Sequence, residues 1–95
     1  MKSVILDGRE MTGKEEFHRI VAREFSFPDW YGNNLDALFD CLMEMSEDTQ
    51  IMFCYLEDMQ AQLGSYTQEI LSTFFDAQEE NECLAVALLG EDEED

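Results

Sequence analysis

The chain has 95 residues, 23 of them acidic and only five basic, for a formal net charge of −18 at pH 7. A single domain of this length can bury a real core, since 45% of its residues are hydrophobic. The charge argues against nucleic acid and anionic membrane surfaces and for a basic partner, and no apolar run approaches the roughly 18 residues of a membrane helix. Residues 2–6, KSVIL, read as a first strand, and Asp7-Gly8 turns the chain. Thr12 to Glu15 has the capping-box form T-x-x-E. It predicts a helix to about Glu24 with Phe17, Ile20 and Val21 on one face and Glu15 paired with Arg19. His18, the one histidine, reads as a surface or packing residue of that helix.

Pro28 fixes its own backbone and pushes Phe27 toward an extended conformation. Gly32, Asn33 and Asn34 are residues that tolerate left-handed backbone, and Asn34 is placed to cap a helix. Leu35, Leu38 and Leu42 give that helix its apolar face, with an end expected around Met45 to Ser46. Residues 50–55, QIMFCY, read as a second strand. Leu56, Met59 and Leu63 suggest a brief helix stopped by Gly64. Ser65 or Thr67 would cap the next helix, whose apolar face is Ile70, Leu71, Phe74, Phe75 and Ala77, with Asp76 and Glu80 on another side. Residues 83–89, CLAVALL, read as a third strand, and residues 90–95, GEDEED, as a disordered acidic tail. The domain is therefore expected to span residues 1–89.

Strands separated by helices predict parallel pairing through crossover connections. If the strands lie in order 1-2-3, both crossovers put their helices on one sheet face. The continuous apolar runs VIL and CLAVALL pull the other way, because such runs are typical of strands covered on both faces.

Asp36 and Asp40 lie one helical turn apart, a repulsive spacing costing about 0.2–0.5 kcal/mol on an exposed helix. Stability does not call for the pair. With Trp30, Tyr31 and Phe39 beside it, the stretch reads as a recognition surface. No nucleophile elbow, phosphate-binding loop or histidine with a catalytic partner appears, so we expect a binder and not an enzyme. A magnesium site built from Asp36, Asp40 and Glu44 is the enzymatic alternative, and no cofactor is expected. Cys41, Cys54 and Cys83 are odd in number and lack metal spacing. The N-terminus lacks the apolar stretch of a signal peptide, so reduced thiols in a cytoplasmic protein are expected.

The string WYGNNLDALFDCL, from Trp30 to Leu42, resembles the signature of the barstar family, small bacterial proteins that inhibit barnase-like ribonucleases inside the cell that makes them. The likeness in length and element order runs from about Lys2 to Leu89. It implies an α/β domain of two layers, with a three-stranded parallel sheet in order 1-2-3 and helices on one face. It also implies a one-to-one complex between a monomeric inhibitor and a basic ribonuclease. By resemblance, Asp40 enters the nuclease's phosphate site and Asp36 pairs with basic groups at its edge. Trp30 packs near the catalytic histidine, Phe39 adds aromatic surface, Gly32 and Asn34 give loop contacts, and Asp76 makes a peripheral ion pair. Trp30 stands where the best-known member has tyrosine, while Phe39 and Met45 replace tryptophans. An immunity protein against another toxin, or an acidic DNA mimic, is the alternative that the charge allows.

Overall fold

A computed structural model describes residues 1–89; the acidic tail expected at 90–95 lies outside the described residues. Three strands, β1 (Lys2–Asp7), β2 (Thr49–Cys54) and β3 (Leu84–Leu88), pair in parallel in the order β1-β2-β3. A 3₁₀ turn at Gly8–Glu10 and helices α1 (Lys14–Phe25) and α2 (Leu35–Met43) connect β1 to β2. Helices α3 (Leu56–Leu63) and α4 (Tyr66–Glu80) connect β2 to β3. The protein thus has the α/β fold, strand order and strand direction that its sequence pattern calls for.

The sheet resolves the question raised by its apolar runs. Burial follows the two-residue period of a strand: Val4, Leu6, Ile51, Phe53 and Leu84 are buried, whereas Ser3 and Ala85 are exposed and Ile5 is 58% exposed. Val4, Ile51 and Val86 stand side by side across the three strands and define the covered face. The other face is lined by half-buried Met52, Cys54 and Ala87 together with Ile5. Apolar residues there mark no second layer.

Phe17 of α1, Leu38 and Leu42 of α2, Met59 of α3, and Ile70 and Phe74 of α4 complete the core and are fully buried. Each such side chain contributes about 1.5–3 kcal/mol through burial. Gly8 sits where β1 ends beneath α3. A Cβ there would overlap the Tyr55 carbonyl oxygen and lie 2.7 Å from Met59 Cβ, so the close approach requires glycine.

Local interactions depart from expectation at three places. Thr12 does not cap α1: its amide donates to the Glu10 carbonyl just after the 3₁₀ turn, and Gly13 is the cap residue, with Phe17 N–H bonding its carbonyl at 2.9 Å. Arg19 pairs with Glu16 at 2.6 Å and not with Glu15. Ser65 is helical and makes no side-chain cap, while the Thr67 hydroxyl donates to the Met59 carbonyl of α3. The turn between α3 and α4 is carried instead by Gly64 at φ +60. No disulfide joins Cys41, Cys54 and Cys83, and among the described residues no helix is long and apolar enough to cross a membrane.

Candidate functional site

The site is built from the end of α1, the loop 26–34 and α2. Ser26 ends α1 in the left-handed conformation at φ 57, and the Phe27 amide reaches back to the Ala22 carbonyl at 3.0 Å. This is the usual left-handed helix stop, with serine where glycine is commoner. Pro28 follows and opens a turn that the Tyr31 N–H closes on the Pro28 carbonyl at 3.0 Å.

That turn sends two neighbouring aromatics in opposite directions. The Trp30 side chain is exposed, and Tyr31 is buried. The tyrosine therefore does not belong to the exposed recognition surface assigned to it from sequence. Its ring packs 5.0 Å from that of Phe27, which stacks on Phe25 at 5.4 Å; Phe25 leads to Phe74 and so to Phe53 of the central strand. The Tyr31 hydroxyl is 2.6 Å from His18 Nδ1, and His18 Nε2 is 2.7 Å from the Tyr66 hydroxyl of α4. An aromatic and hydrogen-bonded footing thus fixes the loop that presents Trp30.

Asn33 takes φ 57, which asparagine tolerates, and Asn34 caps α2 as its position predicts. Asn34 Oδ1 accepts from the Ala37 N–H at 2.8 Å, while Nδ2 donates to the Gly32 carbonyl at 3.2 Å. One side chain joins the loop to the helix and satisfies an otherwise unpaired helix N–H.

Helix α2 turns Leu38, Cys41 and Leu42 into the core and leaves Asp36 and Asp40 exposed one turn apart. Phe39, between them in sequence, is half-buried against the core, so only part of its ring is available. The helix ends at Met43, earlier than its apolar spacing suggested. The cause is tertiary. Asn81 Nδ2 donates to the carbonyls of Leu42 and Met45, both at 2.9 Å, and Asn81 Oδ1 accepts from the Cys83 N–H. These bonds close the end of α2, whose last turn holds no basic residue. Asp76 is exposed on α4, which packs directly on α2.

Three arginines, Arg9, Arg19 and Arg23, each pair with a nearby carboxylate on β1 or α1. No basic residue follows Arg23, so α2 and α4 carry only negative side-chain charge. Burial, Glu44 and Asp40 together push the Cys41 thiol above its ordinary value. Burial likewise raises the Tyr31 hydroxyl and lowers His18. Asp36 and Asp40 lie along the helix, and Glu44 follows as its C-cap residue. No group of three His, Cys, Asp or Glu side chains among the described residues is arranged to hold a metal ion.

Trp30, Gly32, Asn34, Asp36, Phe39 and Asp40 are therefore continuous on one loop and helix, with Asp76 on the adjoining helix. Two residues that shape this region were not among the site residues expected from sequence, and only one of them carried a signal. His18 shares a helical face with Val21 and Phe25, at spacings of three and seven, which marks it as inward-facing. Asn81 lies in a polar run between α4 and β3, and nothing local distinguishes it.

A family model described as "Barstar (barnase inhibitor)" matches residues 1–90. A protein of Bacillus subtilis (strain 168) named "Putative ribonuclease inhibitor YrdF" is 37% identical over 81 residues, covering 84% of this chain and 89% of that protein. With the three-stranded parallel sheet and the acidic α2 behind its aromatic loop, the chain belongs to the barstar family of ribonuclease inhibitors.

Proposed function

We propose that the chain inhibits a barnase-like ribonuclease by setting the Asp40 carboxylate into the enzyme's phosphate-binding site. Asp36 pairs with basic groups at the edge of that site, and Trp30 packs beside the catalytic histidine. Asp76 makes an ion pair at the rim. Gly32 contributes backbone contacts, Phe39 the open part of its ring, and Asn34 whatever its cap leaves available. Binding is one-to-one, by a monomer, in the cytoplasm of the cell that makes the nuclease.

The observation that supports this reading is the mounting of the acids. Asp36 and Asp40 are exposed on a helix fixed at its start by Asn34 and at its end by Asn81, beside exposed Trp30. A carboxylate accepts a bidentate guanidinium much as phosphate does, and a rigid support lowers the entropy lost on binding. The enzyme site supplies cations, and this surface supplies none.

Titration calorimetry against a purified barnase-like ribonuclease should give one-to-one binding with complete loss of RNA cleavage. Absence of both heat and inhibition would overturn the choice of target. The acids extend onto α4 at Asp76, Glu79 and Glu80, which favours a nucleic-acid mimic as the second reading. A mimic would lose affinity in small, similar steps across those positions and Asp36 and Asp40, whereas the proposed inhibitor loses most of it at Asp40.

A further inference from the structure

His18 is 2% exposed, and no contact proposed above uses it. Among the described residues it is nevertheless the one side chain that reaches both the recognition loop and α4 by hydrogen bonds, through Tyr31 and Tyr66. Phe17 packs edge-on to its ring at 5.0 Å, and the Lys14 ammonium lies 4.6 Å from the centre of the Tyr66 ring.

We propose that His18 is the positioning residue of the recognition loop, a proton-sensitive lock that sets the Tyr31 backbone and with it the direction of Trp30. The chemistry follows from the imidazole. A neutral ring has one N–H and one lone pair, so one tyrosine hydroxyl accepts from it and the other donates to it. Tyr31 is thereby held at its tip, while the Pro28 carbonyl holds its backbone. Because Trp30 lies inside that turn, rotation of Tyr31 moves Trp30 as well.

Protonation changes the pattern. Both nitrogens then donate, so the hydroxyl that had donated to the ring must turn its proton away and accept instead, which takes that proton from its partner. The surroundings offer the cation little. Tyr31 faces it from the loop and Tyr66 from α4. Cys41 acts on Tyr31 from α2, Glu69 acts on Tyr66 along α4, and Lys14 lies over Tyr66 from α1. Glu69 is the one carboxylate in this set, and it acts through Tyr66. Burial therefore holds His18 below the ordinary imidazole value. At neutral pH the lock is closed, and it opens as pH falls below about 6.5.

The effect on inhibition rests on the function proposed above, whereas the effect on the loop does not. The test therefore starts with the free protein. Trp30 and His18 are the single tryptophan and the single histidine, so each gives one indole N–H signal and one set of imidazole signals in NMR. On titration from pH 7.5 to 4.5, both should move with one midpoint below 6.5. An indole signal that stays fixed while His18 titrates would overturn the proposal. Tyr31→Phe removes the loop's hydroxyl and should uncouple Trp30 from the His18 midpoint. His18→Gln keeps a donor and an acceptor without titrating, and should abolish the Trp30 step. A step that survives in both variants would contradict the proposal. If a target ribonuclease is bound, Tyr31→Phe should speed dissociation by about tenfold at pH 7.5, the loss expected for one hydrogen bond of about 1.4 kcal/mol. Failure of that binding with a correct NMR coupling would count against the functional reading alone.

Discussion

Asn81 and Leu42 are 39 residues apart, yet the Asn81 side-chain amide donates to the Leu42 carbonyl oxygen at 2.9 Å. That bond ties the end of the acidic helix α2 to the corner between α4 and β3. The same nitrogen reaches the Met45 carbonyl, so one side chain closes the turn that follows the helix.

Asn81→Ala should lower unfolding free energy by about 1–3 kcal/mol, because part-buried carbonyls lose their donor. Asn81→Asp should be at least as harmful, since it replaces the donor with a charged acceptor facing those carbonyls while keeping the acceptor for Cys83 N–H. Urea unfolding followed by circular dichroism measures both. An unchanged midpoint in Asn81→Ala would show that water replaces the clamp.

Gly8→Ala should destabilise by about 1–3 kcal/mol or more, through overlap of the new methyl with the Tyr55 carbonyl and Met59. Gly13→Ala provides the control, because a Cβ there meets no atom within 4 Å. Thermal melting of the two variants should separate them clearly, and equal melting temperatures would contradict the packing assigned to Gly8.

Cys41 should be the slowest thiol to react with a small alkylating reagent in the native protein, being buried and raised above its ordinary value. Mass spectrometry of timed reactions reads the order directly. Denatured, unreduced protein should yield three thiols. Rapid native labelling of Cys41 would show that α2 opens locally.

Much of the architecture was legible because local patterns and tertiary packing agree. The Asn34 cap and the inward Leu38 and Leu42 follow from spacing alone, and the structure places them as the pattern requires. The exposure of Asp36 and Asp40 was legible too, because charged residues off the apolar face of a helix stay in water. Features that depend on distant partners were not. The fate of Tyr31 is decided by His18 thirteen residues earlier and by the aromatic stack beneath it, whereas its neighbour Trp30 finds no such cavity. The T-x-x-E signal at Thr12 was overridden because α1 begins one residue later, with Gly13 in the cap position. The apolar strand runs suggested two covered faces because hydrophobicity reports composition, whereas alternating burial reports which side the helices occupy.

Association with a basic ribonuclease should be fast at low ionic strength and slow steeply as salt is added. The acids of α2 and α4 have no basic residue near them in sequence to offset their field. Stopped-flow measurement from about 0.01 to 1 M salt, spanning Debye lengths of about 30 to 3 Å, tests this. A rate that stays flat over that range would mean that the acidic surface does not steer the encounter.

The central claim is that Asp40 carries the inhibition. Its carboxylate should be removed from water in the complex and paired with fixed cations. Truncating one member of such a pair costs about 2–5 kcal/mol or more, a range drawn in part from the barnase–barstar pair of this family. Asp76, at the rim, should matter less and mainly alter the association rate. Asp40→Ala should leave the melting temperature nearly unchanged or slightly raised, because it relieves repulsion from Asp36 and introduces a strong helix former. The decisive measurement is the inhibition constant of Asp40→Ala beside that of Asp76→Ala against the same ribonuclease, with melting curves for both. The account predicts a loss of at least about thirtyfold at Asp40, from the low end of that energy range, and a much smaller one at Asp76. An Asp40→Ala protein that folds normally and inhibits as well as the parent would contradict it.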